Sequence, residues 1–313
     1  MTRIRPLSTI SFVVLALGLA WLVALPLWTG DGLAHPLAGL IIQAMMFTPA
    51  LAVVIVLLVF RPIGKGARLR FLGMWPLRPA KPVVWMMVIG LFAPVVLIAA
   101  SVAVAALCGW VTLDLVHFSG FAQVLAATTP AGTPAAPPIV VIISQLIAIP
   151  FAAATINAVL AFGEELGWRG FLLPALRPLG TWPALLISGA VWGLWHAPVI
   201  LLGYNFGRTD ITGVLFMMLG CTAWGILLGW LRLRSASLWP AVFAHGAMNA
   251  AGAMIALVHA AGTTFDMALA GPLGIAGVIV CAISTIALSL TGQFRRQPEL
   301  SRAPKAAAGS VGG

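Results

Sequence analysis

The chain reads as apolar runs of membrane-spanning length, separated by connections that carry nearly all of its charge. A hydrocarbon core about 30 Å thick takes about 20 predominantly apolar residues per helix. Eight such runs are present, at 8 to 29, 37 to 60, 83 to 108, 139 to 162, 182 to 203, 212 to 231, 238 to 260 and 271 to 291. They predict an all-α fold, a polytopic bundle of eight transmembrane helices. The first run follows Arg3 and Arg5, but its apolar stretch exceeds the roughly 7 to 15 residues of a signal-peptide core, so it reads as a retained helix. The connection from Gly109 to Pro138 is the longest, and its Thr, Pro and Gly content over 128–138 predicts a flexible loop. The pattern divides the chain into a three-span region at 1–138, a five-span region at 139–291 and a disordered cytoplasmic tail at 292–313.

Composition strengthens the membrane reading. Hydrophobic residues make up 61% of the 313 and charged residues only 8%, against roughly 25% charged in a water-soluble globule. A net charge of +10 would suggest nucleic acid in a soluble chain, so the positions of the 17 Lys and Arg decide what it means. With the N-terminus in the cytoplasm, the inner segments hold all of them except Arg208. This asymmetry is the positive-inside pattern. The basic excess is therefore topological: the partner it implies is the lipid bilayer and not nucleic acid, and both termini are expected on the cytoplasmic side of a cell membrane. Three cysteines, Cys108, Cys221 and Cys281, have no framework spacing and argue against a disulfide scaffold or a cysteine-based metal site.

Ionisable groups at bilayer depth cost about 2.5 to 3.5 kcal/mol each on insertion scales, so each needs a partner or a purpose. Of the seven acids, only Glu164 and Glu165 lie near that depth, after the fourth run. Neighbours on a helix point about 100° apart, so the two carboxylates must divide their roles. Glu165 and Arg169 stand at i and i+4 with the acid first, the favourable order for a helix ion pair. Glu164 is left for chemistry, with Asn157 two turns earlier on nearly the same face. His196 lies within the fifth run, and His245 with Asn249 one turn further lies within the seventh. Three helices each bringing a polar group predict one convergent site. Other features read as structural: Trp75, Trp110, Trp182 and Trp239 as an interfacial belt, Gly189 with Gly193 as a close helix contact, and Met45, Met46, Met86, Met87, Met217 and Met218 as packing. His35, His117 and His259 sit in or near outer connections without such a pattern.

A carboxylate and two imidazoles suit two chemistries. Glu164, His196 and His245 match a three-ligand catalytic Zn²⁺ site with an open fourth position. Without metal, Glu164 is the general base for a water bonded to His196, while His245 and Asn249 donate to an oxyanion. Both describe amide hydrolysis inside the membrane, of a peptide or protein substrate. Neither a His-Glu-x-x-His nor a Gly-x-Ser-x-Gly motif is present.

The three motifs also resemble a known family. Glu164-Glu165-x-x-x-Arg169, then Trp192-x-x-x-His196, then His245-x-x-x-Asn249 are similar to those of the CAAX protease and bacteriocin-processing (Abi) family of intramembrane endopeptidases, usually classed as metalloproteases. That resemblance implies a membrane hydrolase with Glu164, His196, His245 and Asn249 as catalytic or metal-ligating residues, supported by Glu165, Arg169 and Trp192. The second motif usually begins with Phe, where this chain has Trp192, a bulkier aromatic wall that bears on substrate fit. The leading reading is a cytoplasm-facing intramembrane peptidase. Its alternatives are a non-catalytic scaffold or bacteriocin-immunity protein, and a proton-coupled transporter. One tension remains in the spacing. His196 falls about 21 Å along its run and His245 about 10 Å along its own, so the segment before the fifth run must dip inward, or that helix must tilt or begin well outside the hydrocarbon.

Overall fold

Runs of Leu, Val, Ala and Ile can satisfy their backbone groups in hydrocarbon only within helices or a closed barrel, and helices are what form. The computed structural model describes residues 5–130, 132–134 and 136–297. The readings that rest on Arg3, Glu299, Arg302, Lys305 and the tail past 297 lie outside those residues. In chain order the α-helices are α1 (Pro6–Thr29), α2 (Ala38–Met45), α3 (Thr48–Val59), α4 (Arg68–Leu72), α5 (Ala80–Leu107), α6 (Ser119–Thr128), α7 (Pro138–Ala154) and α8 (Ile156–Glu165). They continue as α9 (Leu173–Leu176), α10 (Thr181–Trp195), α11 (Ala197–Ile200), α12 (Ile211–Ser235), α13 (Trp239–Ala251), α14 (Met254–Val258), α15 (Met267–Ala270) and α16 (Ile275–Leu290). No strand occurs among the described residues; Leu113 and His259 form an isolated antiparallel bridge.

This is a multi-pass membrane protein. Among the described residues six helical stretches are long and apolar enough to cross a bilayer: α1, α2 with α3, α5, α12, α13 with α14, and α15 with α16. The pair Pro138–Ala154 and Ile156–Leu179, bent by 47°, makes a seventh if counted as one span. The remaining expected run, the fifth, at 182 to 203, forms α10 of 15 residues and α11 of 4, interrupted at His196. Pro198 ends α10, because it lacks an N–H and its ring collides with the carbonyl four residues back. At 1.5 Å per residue α10 reaches only about 22 Å.

Close helix approach depends on small residues, as the sequence predicts. A Cβ on Gly193 would stand 2.3 Å from Cα of Met218, and one on Gly189 2.6 Å from Cα of Thr222, so α10 lies directly on the backbone of α12. On the other side α13 packs on α5, α7 and α8. There Gly90 faces the Pro240 carbonyl and Gly246 faces that of Ala153.

The connections collect at two ends. At one end the Leu238 N–H donates to the Gly73 carbonyl at 2.8 Å, and Arg177 donates to Gln297 Oε1 at 2.6 Å. At the other, the Asp114 N–H reaches the Val258 carbonyl at 2.9 Å, and Arg208 pairs with Asp266 at 2.6 Å. Two expectations are corrected here. The connection from Gly109 to Pro138 contains α6 and is pinned through Leu113 and Asp114, so it is not one flexible loop; the prolines exclude helix only past Thr129. Residues 292–297, expected to belong to a disordered tail, are ordered, and Phe294 is buried against Trp182 with ring centroids 4.9 Å apart.

Candidate active site

Glu164 and Glu165 close α8, and the chain then loosens into a π-helix over Leu166–Leu172, with every residue buried. Such wide turns are rare and gather at functional sites. Glu165 Oε1 accepts from Arg169 at 2.7 Å, the pair that the i,i+4 spacing predicts. The same oxygen lies 2.8 Å from Nδ1 of His245. A carboxylate paired with arginine only accepts, so that Nδ1–H donates. Glu164 turns the other way, and its Oε2 accepts from the indole N–H of Trp192 at 2.7 Å. The two carboxylates thus have separate partners, as their angular separation requires. Glu164, Glu165, Arg169 and His245 are all at most 2% exposed.

Trp192 joins the pieces. Its ring lies under the Arg169 guanidinium at 4.3 Å, and its centroid is 5.3 Å from that of His245. Its backbone carbonyl lies 3.0 Å from Nδ1 of His196. A carbonyl also only accepts, so both histidines hold their Nδ1–H on a fixed acceptor and keep Nε2 as the second ring nitrogen. The residue level with His245 is Trp192, while His196 stands one turn further along the chain from it, so the two histidines do not share one height.

Glu164, Trp192, His196, His245 and Asn249 all line one cavity of about 630 Å³. The four side chains singled out from sequence are therefore brought together. Asn157 is not among them. It borders a separate cavity of about 260 Å³ with Gln145 and Met254, because a shared helical face still places residues two turns apart at different heights. The cavity also takes in Met45, Met46 and Met217, so three of the methionines read as packing form part of its wall. Tyr204 and Cys221 line it too, and nothing in their spacing marks them. The cavity runs to Leu33, Asn205 and Leu273, in the connections at the end opposite the basic loops. A site open toward the basic loops was expected, and the physical reason for the difference is that the buried π-helix closes that end.

The family resemblance raises the question of a metal. Each Nδ1–H bound to a carbonyl or carboxylate is the outer support that metal-ligating histidines commonly have. Among the described residues, however, no three His, Cys, Asp or Glu side chains stand close enough together to form a metal-binding set. The arrangement does not fit a three-ligand site as it stands.

Arg232 is a residue that sequence reasoning missed, having counted it only as an inner positive charge. It is fully buried on α12, and it donates to the carbonyls of Arg169 at 3.2 Å and Phe71 at 2.9 Å. Its guanidinium fills the space beside Gly73, whose φ of +74° keeps the backbone close. The π-helix, the 61–79 connection and α12 are thereby tied at one point.

Comparison with known proteins agrees with the motif reading. Residues 143–251 match the family described as type II CAAX prenyl endopeptidase Rce1-like. A 77-residue stretch is 31% identical to CAAX prenyl protease 2 of Methanococcus maripaludis, covering 23% of this chain and 28% of that protein. The chain thus matches under a third of that relative's length. The family region contains all three motifs, from Glu164 to Asn249.

Proposed function

We propose that this protein is an intramembrane endopeptidase that hydrolyses a peptide bond with a water activated by Glu164. The observation that carries the reading is the convergence of Glu164, His196, His245 and Asn249, with Trp192, on one cavity inside a helical bundle. In the proposed step, water bonded to Nε2 of His196 gives a proton to the Glu164 carboxylate as its oxygen attacks the carbonyl carbon. The oxyanion is met by the Asn249 amide. His245 commits its Nδ1–H to Glu165, so the Asn249 amide is the donor left for the oxyanion while the imidazole lines the cavity beside it. Glu164 then returns the proton to the leaving amine as the C–N bond breaks. Glu165 and Arg169 act as supports: they fix His245 and Trp192 and do not touch substrate.

The test is cleavage of a peptide library by purified protein, with and without Glu164→Ala. Cleavage is expected from the parent chain and not from the variant. Saturable peptide binding without cleavage by the parent chain would replace this reading with the scaffold one. Metal analysis decides the remaining alternative. Near-stoichiometric zinc, lost together with activity in His196→Ala and His245→Ala, would assign Glu164, His196 and His245 as ligands. Full activity of metal-free protein would leave the glutamate-activated water alone.

A further inference from the structure

We infer that the site takes an apolar polypeptide segment presented on the non-cytoplasmic side of the membrane, and that this segment enters from that side. The inference rests on the peptidase reading for what happens to the segment, but its route rests on geometry and charge. The bundle has two chemically distinct ends. All described Lys and Arg except Arg208 belong to one half or its connections, whereas all four aspartates, Asp31, Asp114, Asp210 and Asp266, lie at the other. Contacts within the fold support this division: Arg177 meets Gln297 and Leu238 meets Gly73 at the basic end, while Arg208 meets Asp266 and Asp114 meets Val258 at the acidic end. By the positive-inside rule the basic end faces the cytoplasm.

The cavity that holds Glu164 and His245 leads to the acidic end. Its exposed lining residues include Gln43, Tyr204, Asn205, Asn249 and Ala253, from α2, α13 and the connections at that end. At the basic end the way is closed by the buried residues of the π-helix and by Arg232, which bridges to the Phe71 carbonyl. The wall itself fits apolar side chains of varied shape. Met45, Met46, Met217, Met248 and Met267 all line it, and unbranched thioethers repack around different partners. Among the described residues no Lys or Arg lines the cavity to select an acidic segment, and Glu164 is its one carboxylate.

The experiment is sided cysteine labelling of the full chain in intact cells, with a membrane-impermeant maleimide, in a background lacking the native cysteines. Asn249→Cys, inside the site, and Tyr204→Cys and Gln43→Cys, at its mouth, are expected to label from outside. Gly66→Cys, in the exposed part of the basic connection, is expected to label only after permeabilisation. Labelling of Gly66→Cys from outside, or of Asn249→Cys only after permeabilisation, would overturn the inference. So would failure of Asn249→Cys to label from either side while the mouth positions react. None of these readouts depends on peptide cleavage, so the route can fail while the peptidase reading stands, and the reverse.

Discussion

At the scale of single residues, the two adjacent glutamates show how one helical step separates chemistry from support. Glu165 is fully buried and binds Arg169 and His245 through one oxygen, while its Oε2 has no hydrogen-bond partner among the described residues. Glu165→Gln removes the counter-charge of a buried arginine, a change that typically costs about 3–5 kcal/mol. It should therefore lower folded yield at least as much as specific activity. Glu164→Gln keeps an oxygen for the Trp192 N–H and should leave a folded but inactive protein. Size-exclusion profiles and peptide cleavage of the two variants check the division, and the opposite pattern would refute it. Trp192→Phe supplies the aromatic usual at this motif position in the resembling family but deletes the N–H that holds Glu164. A hydrogen bond to a charged group is worth about 1.5–3 kcal/mol. Activity should fall about 10- to 100-fold, mainly in kcat, with the histidines still in place. Unchanged kcat would show that the indole is only a wall.

At the scale of elements, local irregularities do the positioning. A regular α-helix through 166–172 would advance the chain further toward the basic end, whereas the π-helix keeps Trp168 and Arg169 buried beside α10 and α12. At the break before Pro198 the His196 N–H turns to the Gly193 carbonyl at 3.1 Å, which leaves the Trp192 carbonyl free to accept from the imidazole. Both irregularities depend on α10 lying against α12, and that contact has no spare space at Gly193. Gly193→Ala would drive a methyl group toward the Met218 backbone, which cannot yield as a flexible side chain would. Overpacking of this kind costs about 1–3 kcal/mol. The variant should melt earlier than the parent chain in detergent and lose activity in proportion, whereas Gly18→Ala on α1, with nothing within 4 Å, should be neutral.

At the scale of the whole molecule, buried polar bonds fasten the spans into one body. Arg232 is the clearest case. Arg232→Met would leave the carbonyls of Arg169 and Phe71 without their donor, at about 1–3 kcal/mol each, partly offset by no longer burying a guanidinium without an acid. A net loss of about 1–3 kcal/mol is expected in thermal unfolding of the solubilised protein. Arg232→Lys should not restore it, since one ammonium lacks the planar reach to both carbonyls. A melting temperature unchanged by Arg232→Met would mean that the link is dispensable.

The sequence by itself determined the membrane class, because apolar run length answers directly to bilayer thickness. It determined the asymmetry of charge between the two ends, because that is a count along the chain. It also marked Glu164, His196, His245 and Asn249, because ionisable and hydrogen-bonding groups are costly in apolar runs and stand out. The Glu165–Arg169 pair was legible for a related reason, since i and i+4 are neighbours on any helix. Only the tertiary structure decided the rest. The bonds from Glu165 to His245 and from Glu164 to Trp192 join residues 80 and 28 positions apart, and no periodicity encodes such a distance. The π-helix is invisible to hydrophobic patterning, since a segment buried on every side looks alike whether wound with 3.6 residues per turn or more. For the same reason the direction in which the cavity opens was not written in the spans. It follows from which connections close over the site, and that is settled only when helices distant in sequence pack together.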